Sequence, residues 1–149
     1  MSNNQQTQVA QIAKRLLAES YTVYLKTHNY HWNVTGPMFS SLHTLFETQY
    51  SELALAVDEI AERIRTLGER APGSYSEFSA LSTVREASGE PTATQMIESL
   101  VDDCAQLART AGEMVAAAEA AGDPASADLA TRRIEVAQKN AWMLRSHLE

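Results

Sequence analysis

Cysteine is nearly absent from this chain of 149 residues. Cys104 stands alone, so no internal disulfide can form, which agrees with a reducing compartment. Long apolar runs are missing too, and none approaches the roughly 18 residues of a membrane-spanning helix. Residues Met1–Gln11 are polar and uncharged, without the basic start or apolar stretch of a secretory leader. A cytoplasmic location is the expectation. Basic charge is in deficit: 12 Lys and Arg against 19 Asp and Glu give a net charge of −7. Charge balance alone therefore gives no general affinity for nucleic acid. Strand-like alternation of apolar and polar residues is absent as well.

The 4 prolines and 6 glycines fall mostly at four points: Gly36-Pro37, Ala71-Pro72-Gly73, Gly89-Glu90-Pro91 and Gly122-Asp123-Pro124. Between them lie segments rich in Ala, Leu, Glu, Gln and Arg, the good helix formers. The chain reads as all-α. Apolar residues at helical spacing predict helices over about Thr7–Asn33, Phe39–Leu67, Ala93–Ala121 and Pro124–Leu148. Phe39, Leu42, Phe46, Tyr50, Leu53, Val57, Ile60, Ile64 and Leu67 mark the expected buried stripe of the second. Thr92 and Gln95 have capping-box spacing, and Asp123 followed by Pro124 is a helix-start signal. The connection from Gly68 to Thr92 is too long for a structureless loop in a compact domain, and Ser74–Leu81 is the expected short helix within it. Two helical hairpins joined by one long crossover is the ferritin-like four-helix arrangement. Residues 1–149 are expected to form a single domain.

Five residues suit metal chemistry: His31, His43, Glu47, Asp58 and Glu62. Mixed imidazole and carboxylate donors fit iron, manganese or zinc. His43/Glu47 and Asp58/Glu62 each lie one turn apart on one face of the second helix. Either pair alone is more often a solvated face than a metal site. Glu47 and Asp58 are separated by eleven residues, about 16 Å along a helix, so one straight helix cannot bring both pairs to one ion. An antiparallel copy of the same helix can. The pairs are equidistant from the point between Glu52 and Leu53, so a two-fold axis there sets His43 opposite Glu62 and Glu47 opposite Asp58, twice over. His31, near the end of the first helix, can add a further ligand. A bundle-centred di-iron site would need Glu-x-x-His motifs. The residues three before the four histidines are Leu25, His28, Ser40 and Leu144, so that motif is missing.

The stretch His28-Asn29-Tyr30-His31-Trp32-Asn33-Val34-Thr35-Gly36-Pro37-Met38-Phe39, then Leu42-His43, then Asp58-Glu59-Ile60-Ala61-Glu62-Arg63 resembles the Dps family of mini-ferritins. The match is most specific in this central region and weakens towards the C-terminus. The resemblance implies a dodecameric shell with ferroxidase sites at its two-fold dimer interfaces. It places His31 and His43 on one subunit and Asp58 and Glu62 on its partner. It implies oxidation of Fe(II), preferentially by hydrogen peroxide rather than dioxygen, and storage of the ferric mineral, which protects against oxidative damage. Trp32 matches a tryptophan near the iron, as an electron donor or as aromatic packing at the dimer interface. At Glu47 many relatives have aspartate, so this carboxylate could bind iron directly, through water, or only support the ligands. Asp123 and Asp128 match the region that lines three-fold pores, where an acidic ring would draw in Fe(II). Asp123 serves equally as a helix cap, and Arg132 is placed to pair with Asp128.

Some members of the family condense DNA through a lysine-rich tail. Here Met1–Val9 holds no Lys or Arg, and the first basic residues are Lys14 and Arg15. Phosphate contacts need basic groups, so weak or absent DNA binding is expected, with nucleoid association only if DNA is bound. Two other readings remain for the same residues: a shell that buffers a metal such as zinc without turnover, and a nucleoid protein with residual iron chemistry.

Overall fold

In a computed structural model of the chain, which describes residues 3–149, five α-helices follow one another: α1 (Asn3–Asn33), α2 (Phe39–Thr66), α3 (Tyr75–Leu81), α4 (Ala93–Ala120) and α5 (Pro124–Arg145). Met1 and Ser2, the start of the uncharged N-terminal stretch, lie outside the described residues. α1 packs on α2 and α4 on α5 as two hairpins, with α1 also against α4. α3 sits in the crossover and packs on α1. This is the ferritin-like bundle with a short helix in its long connection.

The sequence places the turns for physical reasons. Gly36 takes φ +102° between α1 and α2, a conformation that L side chains rarely adopt. After α4, Gly122 at φ +66° lets Asp123 N–H donate to the Ala118 carbonyl (2.8 Å) and its own N–H to Glu119 (3.1 Å), a Schellman closure. Asp123 is at once the N-cap of α5, accepting from Ser126 N–H at 3.0 Å, with Pro124 in the first turn. α4 starts on the expected capping box of Thr92 and Gln95.

The core runs the length of the bundle. Leu16, Leu17, Leu42, Phe46, Ile60, Ile64, Ile97, Leu100, Met114 and Leu144 are almost wholly buried. Truncating one such side chain to Ala costs roughly 2–5 kcal/mol. The expected stripe of α2 is corrected at one end. Phe39 is 41% exposed and stacks on His43 one turn away, while Leu45 and Ala56 join the core. Tyr50 and Val57 are only partly buried. Helix boundaries shift as well. α1 begins at Asn3 rather than Thr7, because Gln5 Nε2 donates to the Ala120 carbonyl (3.0 Å) and Gln6 Nε2 to that of Leu67 (3.2 Å). Those long-range bonds leave no periodic trace in a polar segment. α5 ends at Arg145 rather than Leu148, and Ser146–Leu148 tighten into a 3₁₀ turn.

Buried polar groups pin the crossover to the bundle. Glu19 on α1, fully buried, accepts from the backbone N–H and the hydroxyl of Thr83. Lys26 donates to the Arg85 carbonyl (3.1 Å) and pairs with Asp103 of α4 at 3.0 Å.

Candidate metal centre

The α1–α2 turn folds the end of one helix against the start of the next, and this brings His31 and His43 together. Their rings stack with centroids 3.8 Å apart and planes 14° from parallel. Each Nδ1 lies 2.7 Å from the other residue's backbone carbonyl oxygen. A carbonyl can only accept, so both Nδ1 atoms carry hydrogen and donate. In the neutral rings both Nε2 atoms then keep free lone pairs, the form of imidazole that binds a metal. The lock is reciprocal: neither ring can turn without freeing the carbonyl beside its neighbour. His31 is 7% exposed. Glu47, one turn beyond His43, brings its Oε1 to 3.9 Å from the His31 Nε2. It approaches the histidine pair but remains exposed.

Asp58 and Glu62 lie at the other end of α2, one turn apart and both exposed. Their carboxyls interact. The side-chain hydrogen bond with Asp58, reinforced by its negative charge, raises the Glu62 carboxyl above the ordinary glutamate value. A cation between them would relieve that repulsion. Within one chain this acidic pair and the histidine pair remain apart, about 16 Å from Glu47 to Asp58 along the helix. Among the described residues, no single chain gathers three or more His, Cys, Asp or Glu into one metal-holding group.

Trp32 is 60% exposed, and its ring lies 3.9 Å from that of His28. Asp123 is buried and fully engaged. It caps α5, accepts the Ser126 hydroxyl at 2.5 Å, and pairs with Arg63 of α2 at 2.9 Å. Burial alone would raise its proton affinity, but the Ser126 and Arg63 hydrogen bonds outweigh that and hold it below the usual aspartate value. Asp128 is exposed, with Oδ2 at 3.2 Å from Arg132, whose guanidinium also bonds Glu59 at 2.5 Å. That hydrogen bond lowers the Glu59 carboxyl despite some burial.

Two residues beside the histidine pair escaped the sequence reading as parts of the site. His28 stacks on Tyr50 with centroids 4.3 Å apart, and Tyr50 meets His31 edge-on at 5.3 Å. Helical spacing marked Tyr50 only as a member of the apolar stripe of α2, and His28 stood within the stretch that resembles the family. Arg63, the partner of Asp123, is adjacent to Glu62 and gave no signal of its own.

The sequence matches the ferritin-like domain family over residues 10–149. It is 40% identical to a low temperature-induced protein of Nostoc over all of this chain and 84% of that one. It is 34% identical to a DNA protection during starvation protein of Brevibacillus brevis over the full length of both. A solved Dps protein of Vibrio cholerae, described as a member of a broad superfamily of ferritin-like diiron-carboxylate proteins, superposes with a TM-score of 0.95 at 31% identity, covering 100% of this chain and 94% of that one. The chain therefore belongs to the ferritin-like domain family and, within it, to the Dps proteins. No helix among the described residues is long and apolar enough to cross a membrane.

Proposed function

We propose that this protein oxidises Fe(II) at sites shared between two subunits and stores the ferric product inside a dodecameric shell. Hydrogen peroxide is the preferred oxidant, and iron is substrate and cargo. The observation that carries this reading is the reciprocal His31–His43 lock, which presents two free Nε2 donors side by side at a helix-pair surface. Two nitrogens make half of a site. Asp58 and Glu62 of an antiparallel neighbour supply the oxygen half, with Glu47 beside the histidines. Hard carboxylates stabilise Fe(III) more than Fe(II), so a mixed site favours the electron's departure. Ser51 and Ala54, small residues flanking the crossing point, allow two α2 helices to approach closely, and Leu55, 74% exposed, would be buried there.

Iron would enter through the shell near the start of α5. Asp128 is the better pore candidate of the two aspartates, since Asp123 is buried against Arg63. The net charge of −7 and the absence of Lys and Arg among the first thirteen residues support weak or absent DNA binding at neutral pH and physiological salt.

Subunit complementation tests the shared site. A His31→Ala/His43→Ala chain and an Asp58→Ala/Glu62→Ala chain are each expected to be inactive. Co-assembled in equal amounts, they should regain about a quarter of the wild-type sites, because half the dimers are mixed and each holds one intact site. No recovery from well-formed mixed shells would refute the shared site.

A further inference from the structure

We propose that Tyr50, Tyr24 and Tyr21 form a redox relay that supplies an electron to the metal centre and carries the resulting hole along α1 towards α3; this rests on the ferroxidase reading above. The rings are in sequence. Tyr50 meets the ligand His31 edge-on at 5.3 Å. Tyr24 meets Tyr50 at 6.1 Å, 73° apart, and Tyr21 meets Tyr24 at 5.6 Å, 65° apart. Each separation is one of direct aromatic packing. His28 fills the space beside the first step, stacked on Tyr50.

A phenylalanine closes each end. Phe39 stacks on His43 at 5.0 Å, and Phe78 stacks on Tyr21 at 4.9 Å. Benzene rings are far harder to oxidise than phenols, so neither phenylalanine carries the hole onward. At the far end, Tyr21 lines a cavity of about 530 Å³ between α1 and the crossover, which opens the terminal ring to small molecules. The helix spacing of Tyr21, Tyr24 and His28 keeps the column on one face of α1.

The chemistry calls for such a donor whenever a site holds a single Fe(II). Hydrogen peroxide takes two electrons to become water, and Fe(II) gives one. One-electron reduction alone would release hydroxyl radical. In the proposed step Fe(II) and the Tyr50 phenol give one electron each. The O–O bond breaks, and the phenol proton and one solvent proton complete two waters, leaving Fe(III) and a neutral Tyr50 phenoxyl radical. Tyr24 then returns an electron and a proton to Tyr50 and becomes the radical, and Tyr21 does the same for Tyr24.

Anaerobic shells loaded with one Fe(II) per site, mixed with hydrogen peroxide and freeze-quenched, would be read by electron paramagnetic resonance. A nitroso spin trap with peptide mapping would locate the radical. Wild-type protein should show a tyrosyl signal, with adducts on Tyr21. Tyr50→Phe keeps the ring and its packing, and it should abolish the signal and increase hydroxyl radical released to solution. Tyr24→Phe should move the adduct from Tyr21 to Tyr50. A tyrosyl signal unchanged in Tyr50→Phe, or adducts confined to Trp32, with iron oxidation intact, would overturn the relay alone. Wild-type shells that fail to oxidise Fe(II) would overturn the ferroxidase reading and the relay with it.

Discussion

The two ends of α2 carry proposed ligands of opposite character. At the N-terminal end, His43 is stacked on His31 and each ring is fixed by the other's backbone. At the C-terminal end, Asp58 and Glu62 are exposed, and Asp58 raises the cost of ionising Glu62. One half-site is organised by its own chain. The other is electrostatically unfinished and gains stability from whatever cation arrives. In the proposed shared site, placing the rigid nitrogens and the carboxylates on different subunits would make assembly a condition of chemistry, because neither half holds a complete ligand set.

The largest test removes the organised half. His31→Ala/His43→Ala should slow iron oxidation by about 100-fold or more, as loss of directly bound ligands exceeds the 10–100-fold typical of supporting groups. The shell should still assemble, since the two rings lie at the edge of the core. Stopped-flow absorbance of ferric product with size-exclusion chromatography checks both. A normal rate in an intact shell would show that the acidic end alone suffices.

Next in size is the anchor behind the acidic end. Arg63, adjacent to Glu62, is tied to Asp123, which also caps α5. Asp123→Ala should cost about 2–3 kcal/mol, combining a lost cap with a half-buried arginine left without its partner. The pH dependence follows from the lowered Asp123 value. Its contribution is present above the unfolded aspartate pKa and is lost as pH falls through the folded one. Thermal unfolding across the acidic range should show the wild-type advantage over Asp123→Ala shrinking as the pH drops.

The unequal ends also account for what the sequence made legible. Helices, caps and the short crossover helix were readable because each depends on local spacing: Thr92 to Gln95, Asp123 to Pro124, the apolar period of α2. The candidate ligands stood out because their types and intervals are chemically unusual. Ring geometry was not. The mutual hydrogen bonds of His31 and His43 depend on the α1–α2 turn bringing residues twelve apart into register. The Arg63–Asp123 and Arg133–Glu52 pairs join residues 60 and 81 positions apart. Phe39 looked apolar and therefore buried, yet it lies over His43 at the surface of the single chain.

A finer test works on the acidic pair itself. Asp58→Asn removes the negative charge that raises Glu62. The Glu62 carboxyl midpoint, followed by carbon-detected NMR of side-chain labelled protein, should fall back towards the ordinary glutamate value. An unmoved midpoint would mean that Asp58 does not set the field at that end.

The smallest effect is expected where charges are fully hydrated. Arg132 bridges Asp128 and Glu59 on the surface between α5 and α2. Exposed pairs of this kind contribute little, so Arg132→Gln should change stability by less than about 0.5 kcal/mol. Its consequence would be electrostatic. Freed of Arg132, Asp128 and Glu59 would present uncompensated negative charge near the start of α5, and uptake of Fe(II) at low ionic strength should quicken, with the gain fading as salt is added. Uptake that is unchanged at every salt concentration would place the entry route away from Asp128, while leaving both ends of α2 in their assigned roles.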